Sequence, residues 1–278
     1  MNTTFKSIVL SAFCLLAASL FAEGPISVFS VYVTEGAAQE KIPLTNAIAR
    51  VKAAGITGLD IDVDEIPTVR PMLDAGLKAV NVYGFVRFLT PDHGRAEGDR
   101  LIAAAKSVGA PRVMVLPDDL PDDCAEEDAL AKIIAGLAPF VERAKAAGLV
   151  VTLEDFGSPK SPCARIAPMK KMLDAIPDLR LTLDSGNFHY AGNGDGDDVM
   201  EAFRLFRDRI VHAHVKDYRN AKPRTYTPLG EGDIPNEKLV KALRASGYSG
   251  SITIEESAAP DYIVAVENAA KRLHAWQR

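Results

Sequence analysis

A chain of 278 residues with 47% hydrophobic and 25% charged side chains is long enough for one large domain and has an ordinary globular composition. Its formal net charge of −5, without a long run of one sign, argues against a nucleic-acid binder, which usually shows a basic patch or stripe.

The chain begins with a positive residue, Lys6, and an apolar run, Ile8–Phe21, that is too short to span a bilayer comfortably. Ala22 follows, a small residue suited to cleavage before Glu23. This pattern predicts a secretory signal peptide over residues 1–22 and a mature chain, residues 23–278, exported to the periplasm or the extracellular space. No later segment is long enough to cross a membrane, so no membrane contact is expected after cleavage. The mature chain keeps Cys124 and Cys163. An oxidising compartment permits a bridge between them, but spacing alone does not decide whether it forms.

From residue 26 onward, short β-rich runs alternate with longer segments of helical spacing. The runs are Ile26–Tyr32, Ile56–Val63, Ala79–Phe85, Arg112–Leu116, Leu149–Glu154, Arg180–Asp184, Ile210–Val215 and Ser251–Glu255. Helices are predicted over Leu44–Ala54, Glu97–Val108, Asp128–Ala147, Ala167–Ala175, Val199–Arg207 and Asn236–Ser246, with a short one around Pro67–Gly76 and a terminal one anchored by Trp276. Four helices close on a basic last turn followed by Gly55, Gly109, Gly148 or Gly247, the expected helix stop. Strands alternating with helices imply parallel pairing through helical crossovers. Eight such units, no dividing linker, and no Gly-x-Gly-x-x-Gly after the first strand predict an α/β fold, a single closed (β/α)8 TIM barrel.

The last four strands end in Val-Thr-Leu-Glu154, Leu-Thr-Leu-Asp184, His-Ala-His214 and Ile-Thr-Ile-Glu255. Catalytic groups of such barrels come from the C-terminal strand ends. Alternation along a strand puts Thr152, Thr182, His212 and Thr253 on the same face one layer down, with Leu153, Leu183, Ala213 and Ile254 facing the helices. Singly, each polar end has a plain structural reading, as a turn residue, a satisfied core histidine or a surface glutamate. Four neighbouring strands would need the same accident. Buried carboxylates are costly unless paired or bound to a metal, so Glu154, Asp184, His214 and Glu255 are predicted to hold one divalent ion. Their hard, oxygen-rich character suits Mn or Mg, with Co and Zn also accommodated. By spacing, Asn187 and His212 lie near the site, as substrate contacts, ligand-orienting groups or satisfied core polar groups.

The ordered motifs LEDF, DSGNF, HAHVKD and IEE over Leu153–Glu256, with Leu229–Ile234 (LGEGDI) and Gly55–Ile61 (GITGLDI), resemble the sugar phosphate isomerase/epimerase group, the xylose isomerase-like TIM barrels. That resemblance implies the same four metal ligands and makes Glu154 and Glu255 the acid/base pair as well. It places Asp60 where a glutamate is more usual, as a substrate contact, and puts Asp155 where Asn or Pro is common. Lys216-Asp217 is similar to the His-x-Lys-Asp of the inosose dehydratase branch, where Lys216 would bind a substrate oxygen or assist a departing hydroxyl; a strand-end salt bridge is the plain alternative.

The implied reaction is enediolate chemistry on a small carbohydrate, as an isomerase or epimerase, or as a dehydratase that loses a β-hydroxyl. Export argues against phosphorylated substrates. A nuclease of the same fold would want three metals and more strand-end histidines, and Asn187 stands where one is required. A non-catalytic sugar-binding protein would need no acid/base glutamates. The sequence leaves the sugar, the metal and the oligomeric state open, and a homo-oligomer is compatible with it.

Overall fold

The computed structural model describes residues 24–191, 196–219 and 225–278; the signal peptide expected at residues 1–22 lies outside them. Seven strands follow in chain order, β1 (Ile26–Phe29), β2 (Ile56–Asp62), β3 (Lys78–Val86), β4 (Arg112–Pro117), β5 (Val150–Glu154), β6 (Arg180–Asp184) and β7 (Ile210–Val215). A short antiparallel pair, β8 (Tyr218–Arg219) and β9 (Thr225–Tyr226), precedes the last barrel strand, β10 (Ile252–Ile254). The eight barrel strands are parallel, and β10 pairs back onto β1 with Thr253 opposite Ser27. The ring is closed and has no free edge, as the eight-unit pattern predicted.

The helices predicted from periodicity form within a residue or two of their expected ends, among them Leu44–Ala53, Glu126–Ala146 and Val199–Phe206. The four closing glycines have φ between 70° and 88°, the left-handed conformation that a residue with a Cβ rarely adopts. The short helix expected around Pro67–Gly76 is confined to Arg70–Asp74, and the first strand also departs from its expected span. The first strand stops at Phe29, and Ser30–Glu40 is helical although Val31, Tyr32 and Val33 favour strands. Tertiary packing overrides propensity here: Tyr32 stacks on Tyr262 at 4.8 Å, and a Cβ on Gly36 would meet Ile263 at 2.7 Å, so this helix lies flush against the terminal helix Tyr262–Trp276.

Two layers of side chains follow from the alternation. Leu153, Leu183, Ala213 and Ile254 point outward and are fully buried under the helices. Inside the ring, Ser27, Asp60, Asn81, Thr152, Thr182, His212 and Thr253 form a fully buried polar floor. It is stitched across strands by Ser27 Oγ to Thr253 Oγ1 at 2.6 Å and Thr182 Oγ1 to Thr152 Oγ1 at 2.8 Å. Among the described residues no helix is long and apolar enough to cross a membrane. Cys124 and Cys163 are both free, the second fully buried.

Candidate metal centre

Directly above the polar floor, four strand ends converge. Glu154 and Asp184 are the last residues of β5 and β6, His214 is the penultimate residue of β7, and Glu255 follows β10. One ligand atom from each lies within 4.8 Å of all the others. Pairing register explains part of this, since Asp184 stands opposite His214, and Thr253, two residues before Glu255, is also opposite His214.

Local chain geometry aims each group. The backbone nitrogens of Gly186 and Asn187 both donate to Asp184 Oδ1 at 2.8 Å, where the short helix Asn187–Ala191 begins. The Asp184 nitrogen donates to Asp155 Oδ1 at 2.7 Å, and Asn187 Nδ2 donates to the Asp155 carbonyl at 2.6 Å. Asp184 Oδ2 is left buried with no hydrogen-bond partner, 3.5 Å from the Lys216 ammonium. His214 Nδ1 lies 2.6 Å from Glu154 Oε1, and Lys216 Nζ donates to Glu255 Oε1 at 2.7 Å.

These contacts show a cluster short of positive charge. Burial pushes the Asp184 carboxyl up to about 7, against the charge of Lys216 and with the repulsion of Glu255 and Glu154. Burial opposes a charge on His214, yet Glu154 and Asp60 outweigh it and hold the imidazole well above its ordinary range. Burial would also raise Glu255, but the charges of Lys216 and His214 bring it below the usual carboxylate range. A pocket that draws a proton onto histidine and leaves an aspartate oxygen orphaned matches a divalent cation. Three carboxylates and one imidazole suit a hard or borderline ion.

Asp60 and His212 sit elsewhere than a substrate contact requires. Both are fully buried in the floor, beneath His214. Asp60 Oδ2 receives His212 Nε2 at 2.8 Å, His214 Nε2 at 3.0 Å and Asn81 Nδ2 at 3.0 Å, and Oδ1 receives the Thr253 hydroxyl at 2.8 Å. Burial opposes ionisation of Asp60, but its two histidine partners outweigh that and hold its carboxyl well below the ordinary range. Burial takes His212 down to about 4, so at neutral pH it serves Asp60 as a donor and carries no charge. Depth accounts for this placement. Asp60 lies in the middle of β2, a layer below the strand ends.

Lys216 and Asn187 do face open space. They line a cavity of about 600 Å³ at the barrel mouth, which Glu255 also borders. Its wall is held by two carboxylates that sequence reasoning did not single out for this task. Asp217 accepts from the nitrogens of Gly230, Gly232 and Ile234 at 2.8, 3.1 and 3.2 Å. A Cβ on Gly232 would come within 2.1 Å of that carboxylate, so the loop reaches it only with glycine there. Glu256 accepts from the Tyr226 hydroxyl and from the Leu229 nitrogen at 3.4 Å. The signal was present as HAHVKD followed by LGEGDI, but which group closes on which loop is decided in three dimensions. Phe29 was also missed; its ring stands edge-on to His214 at 5.0 Å.

The family model described as xylose isomerase-like TIM barrel matches residues 48–278. The chain belongs to that family. Within it, the chain is 24% identical over 177 residues to an inosose isomerase of Halalkalibacterium halodurans, covering 62% of each protein. It is 27% identical over 152 residues to an inosose dehydratase of Lacticaseibacillus casei, covering 48% of this chain and 49% of that one. The chain thus spans about half to three fifths of these curated relatives. A probable 3-DHS dehydratase of Bacillus anthracis shares the fold with a TM-score of 0.74 at 14% identity, over 90% of this chain and 98% of that one.

Proposed function

We propose that this protein is a divalent-metal-dependent sugar isomerase or epimerase acting on a small, non-phosphorylated sugar or sugar derivative. The observation that carries the reading is the combination of a cation-seeking cluster with two glutamates on strands three positions apart around the ring, β5 and β10. Glu255 borders the cavity, and a carboxylate oxygen of Glu154 lies within 4.8 Å of one of its oxygens.

A divalent ion held by Glu154, Asp184, His214 and Glu255 supplies Lewis-acid stabilisation of charge developing on a substrate oxygen, with Mn or Mg favoured by the donor set and Co or Zn also suited. One glutamate takes the proton from the carbon beside the carbonyl, and the released electron pair enters the C=C bond of an enediolate. The other returns a proton, at the neighbouring carbon for isomerisation or on the opposite face for epimerisation. Asp155 and Asn187 hold Asp184 in place, and Asp60 holds His214 from below. Export, expected from residues 1–22, fits a substrate without phosphate.

One observation favours a second reading. Lys216 lines the cavity with its ammonium 2.7 Å from Glu255, placed to give a proton to a departing β-hydroxyl. The enolate electron pair would then form a new C=C bond as the C–O bond breaks, and the hydroxide would leave as water. The relative in Lacticaseibacillus casei is an inosose dehydratase, which supports keeping this reaction in view.

Proton exchange in heavy water, followed by NMR, tests the proposal. Metal-loaded protein is incubated with ketoses, aldoses, uronates and keto-sugars, with Glu255→Gln as control. Metal-dependent exchange that disappears in the control is expected, and the product then separates isomerase from dehydratase. Tight metal binding without exchange on any of these sugars would overturn the catalytic reading in favour of a binding role.

A further inference from the structure

The inward-facing column of β3 rises from Asn81 in the polar floor through half-buried Tyr83 to Phe85 at the mouth. Phe85 is 62% exposed at the open end of the barrel. It does not stand alone. Its ring meets Phe156 edge-on at 5.8 Å, and Phe156, just past β5, is part of the cavity wall. Tyr190, 48% exposed, lies close to Gly157 in the same wall and stands edge-on to Tyr218 at 5.6 Å. Tyr218 is itself fixed by its hydroxyl to the Gly186 carbonyl. Phe156, Tyr190, Tyr218 and Tyr226 thus line a space that also reaches Glu255 and Lys216, with Phe85 packed on Phe156 at its rim.

The size of that space matters. At about 600 Å³ it lies within the roughly 300–1,000 Å³ of pockets that enclose drug-sized ligands, and one sugar ring leaves much of it empty. Sugar rings present C–H faces that pack on aromatic rings while their hydroxyls stay hydrogen-bonded. Ser158 and Asn187 supply polar groups beside the aromatic wall. Resting on the reading of the metal cluster as a sugar-processing centre, we propose that Phe85, Phe156 and Tyr190 form a subsite for a second ring. On this proposal the substrate is a glycoside or disaccharide, whose reacting ring lies at Glu154 and Glu255 and whose other ring stacks on the aromatic rim.

Binding tests this independently of turnover. Manganese-loaded full-length mature protein is titrated with glucose, methyl β-glucoside, cellobiose and maltose by calorimetry, and saturation-transfer NMR reports which ring touches the protein. At least one disaccharide is expected to bind about tenfold more tightly than either monosaccharide, the size of one or two good aromatic contacts, with transfer to both rings. Phe85→Ala and Phe156→Ala should each remove most of that advantage. Unchanged melting temperature and manganese affinity in these variants would show that fold and metal cluster are intact. Equal affinity for one and two rings, no disaccharide binding, or an advantage that survives both substitutions would overturn the subsite. If disaccharides bind as expected but no sugar exchanges protons, the catalytic reading fails and the subsite stands. If monosaccharides exchange and the second ring adds nothing, the subsite fails and the catalytic reading stands.

Discussion

His214 divides its two ring nitrogens between carboxylates in different layers: Nε2 lies 3.0 Å from Asp60 Oδ2 in the floor, and Nδ1 faces Glu154 in the cluster above. A metal-ligating histidine whose second nitrogen is fixed by a carboxylate is oriented before the ion arrives. Asp60→Asn should therefore lower manganese affinity by about 10–100-fold while circular dichroism stays native. Calorimetric titration of chelator-treated protein checks this. Wild-type affinity in the variant would mean that Asp60 only fills the floor.

Metal removal should be visible as lost stability. An ion that binds only the folded state at a hundred times its Kd contributes about 2.7 kcal/mol, which for a domain of this size shifts Tm by roughly 5–10 °C. Manganese added to chelated protein should raise Tm by that amount, and Asp184→Asn should abolish the rise because it replaces the orphaned Oδ2. A Tm indifferent to manganese in the wild type would count against the cluster as a metal centre.

The two cysteines should differ sharply towards alkylating agents. Cys163 is fully buried, and burial pushes its thiol well above the ordinary range, whereas Cys124 is half-buried in a loop. Iodoacetamide followed by mass spectrometry should modify Cys124 in the native protein and Cys163 only after unfolding. Equal rates would show that the segment around Pro162–Ala164 opens readily.

The helix Glu126–Ala146 has no spare room at Gly136. A Cβ there would come within 2.9 Å of the Phe88 ring and 3.2 Å of His93 Cβ. Phe88 is fully buried and packs against Phe140 at 6.5 Å, so it has little freedom to move aside. Gly136→Ala should destabilise the fold by about 1–3 kcal/mol in urea titration, although alanine is the better helix former. A stabilised variant would show that the core yields there.

Much of this architecture is already determined along the chain. Hydrophobic runs closed by glycine stops mark eight strand–helix units. The period-2 alternation in Val-Thr-Leu-Glu154 and its three counterparts puts four ligand-type side chains on one face at one level. Those signals are local, and neither depends on which strand lies across the ring. What only the tertiary structure decided are relations between distant segments. The helical state of Ser30–Glu40 depends on Tyr262 and Ile263 at the other end of the chain. Asp60 meets His212 from 152 residues away, and its position within β2 places it under the strand-end cluster, where it also meets His214. The orphaned oxygen of Asp184, the Asp217 clasp on Gly230–Ile234 and the aromatic rim likewise arise where strands and loops from separate units meet. Alternation fixes the face of a strand on which a side chain lies; closure of the barrel fixes the depth and the partner it finds there.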